Sequence, residues 1–195
     1  MPLGNSSATR VGDPVVVGGA GGRSNSVAAK IVAKQEFAGY WEYLLDEAIF
    51  TAPAHPMWGG AGLIGVDGAL LGIGSLRLQM ASGDGAQDIN MFVPINLLPP
   101  VMDDLLKFGR VNQDPRPWLG VYAADSDGRV VTMNVDPRGP AAKAGLQQGD
   151  VIADVRDSAV DDLAGLYRAI WGCGPAGVEI PLRIVRNKRD MWLRI

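Results

Sequence analysis

Residues 116–121 read Arg-Pro-Trp-Leu-Gly-Val, and residues 139–152 read GPAAKAGLQQGDVI. The first stretch is a short apolar loop with one glycine, running into a strand. The second is a small-residue helical turn stopped by Gly145, followed by a Gly-Asp turn into another strand. Consecutive backbone N–H groups around Leu119, Gly120 and Val121 can form a nest for a carboxylate, such as a peptide C-terminus. Gly120 matters because a side chain there would block close backbone approach.

Working outward from this loop, residues 110–116 (RVNQDPR) are polar and proline-bearing and read as a linker. After it, the pattern predicts strands over Val130–Val135, Val151–Val155, Val178–Val185 and Met191–Ile195. A short helix is expected over Pro140–Ala144. A longer one is expected over Asp162–Trp171, with Leu163, Leu166, Tyr167 and Ile170 on one face. Before the linker, Asn96-Leu97-Leu98-Pro99-Pro100 opens a helix that Gly109 ends, with Leu98, Val101, Met102, Leu105, Leu106 and Phe108 as its apolar stripe. Further upstream, short apolar runs alternate with turns: Val15-Val16-Val17, Ile31-Val32, Ile49-Phe50, Leu63-Ile64 and Leu70-Leu71-Gly72-Ile73. With 26 glycines and 13 prolines in 195 residues, this predicts many short strands, hence a barrel or sandwich.

The formal net charge of -3 gives no electrostatic support for nucleic-acid binding. Arg183, Arg186, Arg189 and Arg194 read as a solvated strand face. The lone Cys173, in a Gly-Cys-Gly-Pro turn, reads as a free structural thiol. No metal or cofactor is expected. No run is long and apolar enough to span a bilayer, and residues 1–14 lack an apolar signal core, so the chain as written is expected in the cytoplasm. Val15–Gly22 followed by Ser26–Val32 has the outline of a dinucleotide loop, but the third glycine position holds Ser24 and no βαβ repeat follows. Asp125-Ser126-Asp127-Gly128 resembles the start of a calcium loop without its distal glutamate, so a hairpin turn is expected. Tyr40, Trp41 and Tyr43 fit either an aromatic recognition patch or barrel packing.

The 116–121 and 139–152 stretches resemble the PDZ domain of HtrA/Deg-type trypsin-like serine proteases, and the resemblance covers nearly the whole chain. RVGDPVVVGGAGG resembles that family's Gly-Asp strand and glycine-rich loop. FVPINLLPPVMDDLLKFGRV resembles the helix before its PDZ domain. TAPAHPMWGGAGLIGVDGALLGI (51–73) resembles its nucleophile region, roughly Asn-Pro-Gly-Asn-Ser-Gly-Gly-Pro-Leu, a turn, then Gly-x-Val-Ile-Gly-Ile. The resemblance implies a mainly β protein: the C-terminal barrel of a trypsin-like double barrel with its connecting helix (1–109), a linker (110–116) and a β-rich PDZ domain with two short helices (117–195).

The departures from the family bear on activity. Counting back from the downstream match puts His55-Pro56 on the Asn-Pro pair and Gly59 on the catalytic serine. Acyl transfer needs a hydroxyl or thiol, a base and an orienting carboxylate. Gly59 has no side chain. The family's His and Asp come from a first barrel, and the residues preceding the motif match the second. His55, the sole histidine, is on the wrong segment to serve as base and reads as structural. Loss of a triad member removes a factor of about 10⁴–10⁶ in rate. The resemblance therefore implies no catalytic residue and, at most, an oxyanion-hole remnant at the N–H groups of Met57 and Gly59.

It further implies that a peptide adds as a strand beside Val121–Ala124. Its carboxylate would sit on the 119–121 nest, between Trp118 and Tyr122. Its terminal apolar side chain would enter a pocket formed by Leu119, Val121, Leu163, Leu166 and Ile170. The affinity expected is about micromolar, or about −8 kcal/mol. The partners implied are the C-termini of peptides or unfolded proteins, with a complementary protease barrel or further copies of the chain beside them. The expected function is a truncated, degenerate or engineered inactive member of a quality-control protease family that retains peptide binding. The alternative is a serine endopeptidase whose first barrel and nucleophile are missing from or mutated in this chain. Family members are often periplasmic or membrane-anchored.

Overall fold

A computed structural model describes residues 1–82 and 85–195. It divides into two compact units. The first comprises Met1–Glu36 and Leu45–Asn112, the second Phe37–Leu44 and Gln113–Ile195. Segment 37–44 therefore counts with the second unit, although the chain on both sides of it lies in the first. The expected partition put all of 1–109 in one module.

The first unit is built on a closed barrel. Its strands are β1 (Pro14–Gly18), β2 (Val27–Gly39), β3 (Tyr43–Ala52), β4 (Gly62–Ile64), β5 (Leu70–Ser82) and β6 (Gly85–Pro94), in spatial order β1-β2-β3-β6-β5-β4. β4 pairs back onto β1 through Val16–Ile64 and Val17–Leu63, which closes the sheet on itself. The triple valine obeys the period of a strand: Val15 and Val17 are buried and Val16 points out. They meet Ala29, Ile31, Ile49, Leu63 and Phe92 in the barrel core. β2 and β5 run 13 residues each, well past the apolar runs that marked them. No apolar run announced β6, because its first half is polar. Helix α1 (Pro99–Phe108) has prolines in its first turn and ends at Gly109 in the left-handed conformation (φ 67°). Its apolar stripe forms, but no residue of α1 is buried.

The second unit is a sheet in the order β12-β11-β9-β8-β7, with β10 (Ser158–Ala159) added on β9. The strands are β7 (Val121–Ser126), β8 (Arg129–Val135), β9 (Val151–Val155), β11 (Pro181–Arg186) and β12 (Arg189–Arg194); the helices are α2 (Pro140–Lys143) and α3 (Leu163–Trp171). Asp127 and Gly128 form the β7–β8 turn, and the Asp125 side chain accepts from Leu163 N at 2.8 Å while Asp162 accepts from Gly165 N. Both carboxylates thus cap α3. The C-terminal arginines are not simply a solvated face. Arg186 forms a fork onto buried Asp150 (Nε–Oδ1 2.7 Å, Nη2–Oδ2 2.6 Å), and Arg183 pairs with Asp154 and Asp190. Cys173 is a free thiol whose Sγ lies on Ala169 O.

Candidate functional site

The loop at 54–61 is knitted shut by its own polar groups. His55 is buried. Its backbone N–H donates to Asn90 Oδ1 (2.6 Å), its Nε2 faces Asn25 O (2.5 Å) and its Nδ1 lies 3.0 Å from Met57 N. A backbone N–H can only donate and a carbonyl can only accept. Nδ1 therefore carries the lone pair and Nε2 the proton, which defines a neutral tautomer with a structural task. The Met57 amide expected in an oxyanion-hole remnant is consumed by His55, so that expectation is corrected for Met57. Gly60 N donates to Gly74 O (2.9 Å), Gly74 N to Ala61 O (2.7 Å) and Ala61 N to Trp58 O (3.0 Å). A Cβ on Gly74 would lie 2.0 Å from Trp58 O, so only glycine lets the loop close on β5. Gly59 is different: a Cβ there would meet nothing among the described residues within 4 Å, so its glycine is not required by packing. Among the described residues, no three His, Cys, Asp or Glu side chains gather as a metal site.

In the second unit, the N–H groups of 119–121 converge on one point, but the protein's own Glu42 already occupies them, which corrects the expectation of an open carboxylate nest. Leu119 N donates to Glu42 Oε1 (3.1 Å) and Oε2 (3.2 Å), Gly120 N to Oε1 (2.8 Å) and Val121 N to Oε1 (3.1 Å). Gly120 has φ 75°, and a Cβ there would press at 3.2 Å on Asp136 and on the Trp118 ring. Glycine is thus needed for the shape of the loop. The opposite, carbonyl side is tied down: Leu119 O accepts from Ala141 N (3.0 Å) and Gly120 O from Asp136 N (2.8 Å). The N–H side is left to converge on one point.

Residues around Glu42 complete the contact. Tyr40 O accepts from Ala123 N on β7, the edge of the sheet (3.1 Å). The buried Tyr167 hydroxyl donates to Gly39 O (2.6 Å) and accepts from Glu42 N (3.2 Å). Ala38 and Leu44 pack on the core of the unit. Glu42 itself sits at φ 60°, a left-handed conformation that costs a non-glycine residue about 1–2 kcal/mol. Burial pushes the Glu42 carboxyl above its ordinary range, and the three amide donors pull it part of the way back. Burial also pushes the Tyr167 phenol up to about 12.

The expected binding residues separate into two groups. Leu119, Val121, Leu163, Leu166 and Ile170 are all buried in the core of the unit. Their side chains act as packing, and only the backbone of Leu119 and Val121 faces the carboxylate. Trp118 is half-exposed, and Tyr122 lies 6.2 Å from Tyr40, ring to ring. Tyr40 and Trp41 lie in the turn between β2 and β3, Tyr43 begins β3, and all three group with the second unit. Trp41 stacks on Tyr43 at 5.6 Å and meets Tyr40 edge-on. The sequence reading missed Glu42 and Tyr167 as polar partners. The one signal near Glu42 was the density of aromatics around it.

Comparison with known proteins places these units. Residues 117–195 match the PDZ domain family. The chain is 30% identical over 200 residues to a probable periplasmic serine endoprotease DegP-like of Halomonas elongata, covering 96% of this chain and 41% of that protein. It is 27% identical over 205 residues to the periplasmic serine endoprotease DegP of Escherichia coli (strain K12), covering 98% of this chain and 42% of that one. It therefore spans less than half the length of these relatives. Among solved structures, the HtrA-type protease AlgW with a decapeptide is similar at 26% identity and a TM-score of 0.60, covering 100% of this chain and 62% of that chain.

Proposed function

This chain is HtrA-like over a second protease barrel and a PDZ domain, and from that premise we propose that it has no peptidase activity of its own and binds peptide C-termini through the 119–121 nest. The observation that carries the binding half is the convergence of three backbone N–H groups on a single carboxylate oxygen, all within 3.1 Å. Donors held in place before a ligand arrives lose little on binding it, and hydrogen bonds to an ionised acceptor are the stronger kind. β7 supplies the second element, an edge along which an extended peptide can pair. The observations behind the inactive half are Gly59 at the nucleophile position, a histidine locked in a buried network, and a Met57 amide turned onto that histidine.

The two halves are tested separately. A fluorophosphonate probe is expected to leave the folded chain unlabelled, and a labelled band that disappears on denaturation would restore the peptidase reading. Peptides ending in Val, Leu or Ile are expected to bind in preference to their C-terminal amides, in titrations followed by fluorescence anisotropy. Equal binding of acid and amide would remove the nest from the mechanism.

A further inference from the structure

Resting on the reading of 119–121 as a carboxylate site, we propose that segment 37–44 is a built-in ligand of the PDZ groove, with Glu42 standing in for a chain end, so that outside peptides bind only by displacing it. Three independent observations converge on this. The Glu42 carboxylate takes all three nest amides, Leu119, Gly120 and Val121. The carbonyl of Tyr40, two residues earlier, pairs with Ala123 N on the edge strand. That bond ties the segment's turn to the edge strand two residues before the carboxylate that fills the nest. Finally, the Tyr167 hydroxyl, buried on α3, spends both its donor and an acceptor site on this segment, at Gly39 O and Glu42 N. Both bonds are made to this segment, so its release hands the hydroxyl to water or to an incoming peptide.

The chemistry differs from that of a true C-terminus in one useful way. Here the carboxylate is a side chain, and the backbone continues past it into Tyr43 and Leu44. The groove therefore accepts an internal acidic residue on a turn, and its ligand class widens from chain ends to turns that present a glutamate after a Gly-Tyr-Trp stretch. Such an internal ligand is covalently tethered, so an outside peptide meets a groove that is open only for the fraction of time the segment is released. Its apparent affinity falls by that fraction. An occupancy of about nine-tenths or more lowers it about ten-fold or more.

The experiment uses the full chain, the Glu42→Ala variant and the Tyr167→Phe variant, which keeps the ring and removes only the clamp. Backbone amide chemical shifts of Leu119, Gly120 and Val121 are recorded without peptide. A fluorescent peptide ending in a free Val and its C-terminal amide are then titrated. We expect Glu42→Ala to move all three amide shifts and to tighten binding of the acid about ten-fold or more, with no gain for the amide. Tyr167→Phe should give the same signs with a smaller size. Unmoved nest shifts in both variants overturn the internal ligand whatever the peptide does. Moved shifts with equal peptide affinity in all three proteins overturn the competition. Moved shifts with no binding of the acid by any of the three uphold the internal contact and refute the peptide-binding reading on which it was built.

Discussion

The loop at 55–61 and the loop at 118–121 both carry backbone N–H groups that need acceptors, and the chain satisfies them in contrasting ways. At the first, the Met57 donor is turned onto His55, two residues away. At the second, the donors keep their convergent shape and receive a carboxylate from Glu42, 77 to 79 positions away. The physical demand is the same, since a buried donor without an acceptor costs about 1–3 kcal/mol. A local acceptor ties the donor into its own loop. A distant acceptor leaves the donors convergent, because the loop's shape is held by its own carbonyl bonds to Ala141 and Asp136.

This contrast can be broken or sharpened by substitution. The largest effect is expected from Gly74→Ala, whose Cβ would fall on the Trp58 carbonyl. Backbone overpacking of this kind should cost about 3 kcal/mol of stability, read as the midpoint of urea unfolding. His55→Ala should follow at about 2 kcal/mol, since it strips a buried ring that bridges Asn25 and Met57. A neutral outcome would mean that the first loop is not held by its histidine. Gly120→Ala should cost about 1–2 kcal/mol, because φ 75° is strained for alanine and its Cβ meets Trp118. It should also displace the three amide shifts of the nest together.

A smaller effect is expected from pH. Burial raises the Glu42 carboxyl in the docked state above its ordinary value of 4.5, so the docked segment holds a proton more firmly than the released one. Docking is then strongest below that ordinary value and weakens as pH rises through the raised one. Of the groups that face Glu42, Tyr167 stays neutral across this range with its phenol near 12, while Asp125 adds a negative charge near that phenol; Arg116 lines the same cleft as Glu42, with Trp41 and Leu44. Nest amide shifts followed from about pH 4 to about pH 8, a window that spans ordinary and raised carboxyl titration, should drift toward the free position as pH increases. The opposite drift would show that the amides, not burial, govern Glu42. The smallest effect is expected from Gly59→Ser. A side chain there meets open space, so stability should stay within about 0.5 kcal/mol and the fluorophosphonate probe should still find nothing. Labelling of this variant would mean that a base is within reach after all.

Much of the architecture was legible from local pattern. The 139–152 stretch became α2 and the turn into β9, Asp162 capped α3, and Gly109 ended α1 in the left-handed conformation. Each of these depends on residues within a few positions of one another. Strand lengths were read less well, because β2, β5 and β6 continue through polar residues that only their paired neighbours stabilise. The same limit applied at the site. The nest was readable from Leu119-Gly120-Val121, but Glu42 looked like any surface acid. The arginine fork on buried Asp150 was hidden for the same reason, since its partners lie 36 residues apart.

By itself, the sequence determined that position 59 has no hydroxyl to acylate and that a glycine-bearing loop at 118–121 can aim its amides at an anion. Both follow from side-chain chemistry and short-range backbone sterics, which travel with the residues. Only the tertiary structure decided that His55 takes the Met57 amide and that Glu42 takes the nest. Hydrogen-bond partners are chosen by proximity in space, and a chain that folds its 37–44 turn into its second unit brings together groups that no local spacing connects.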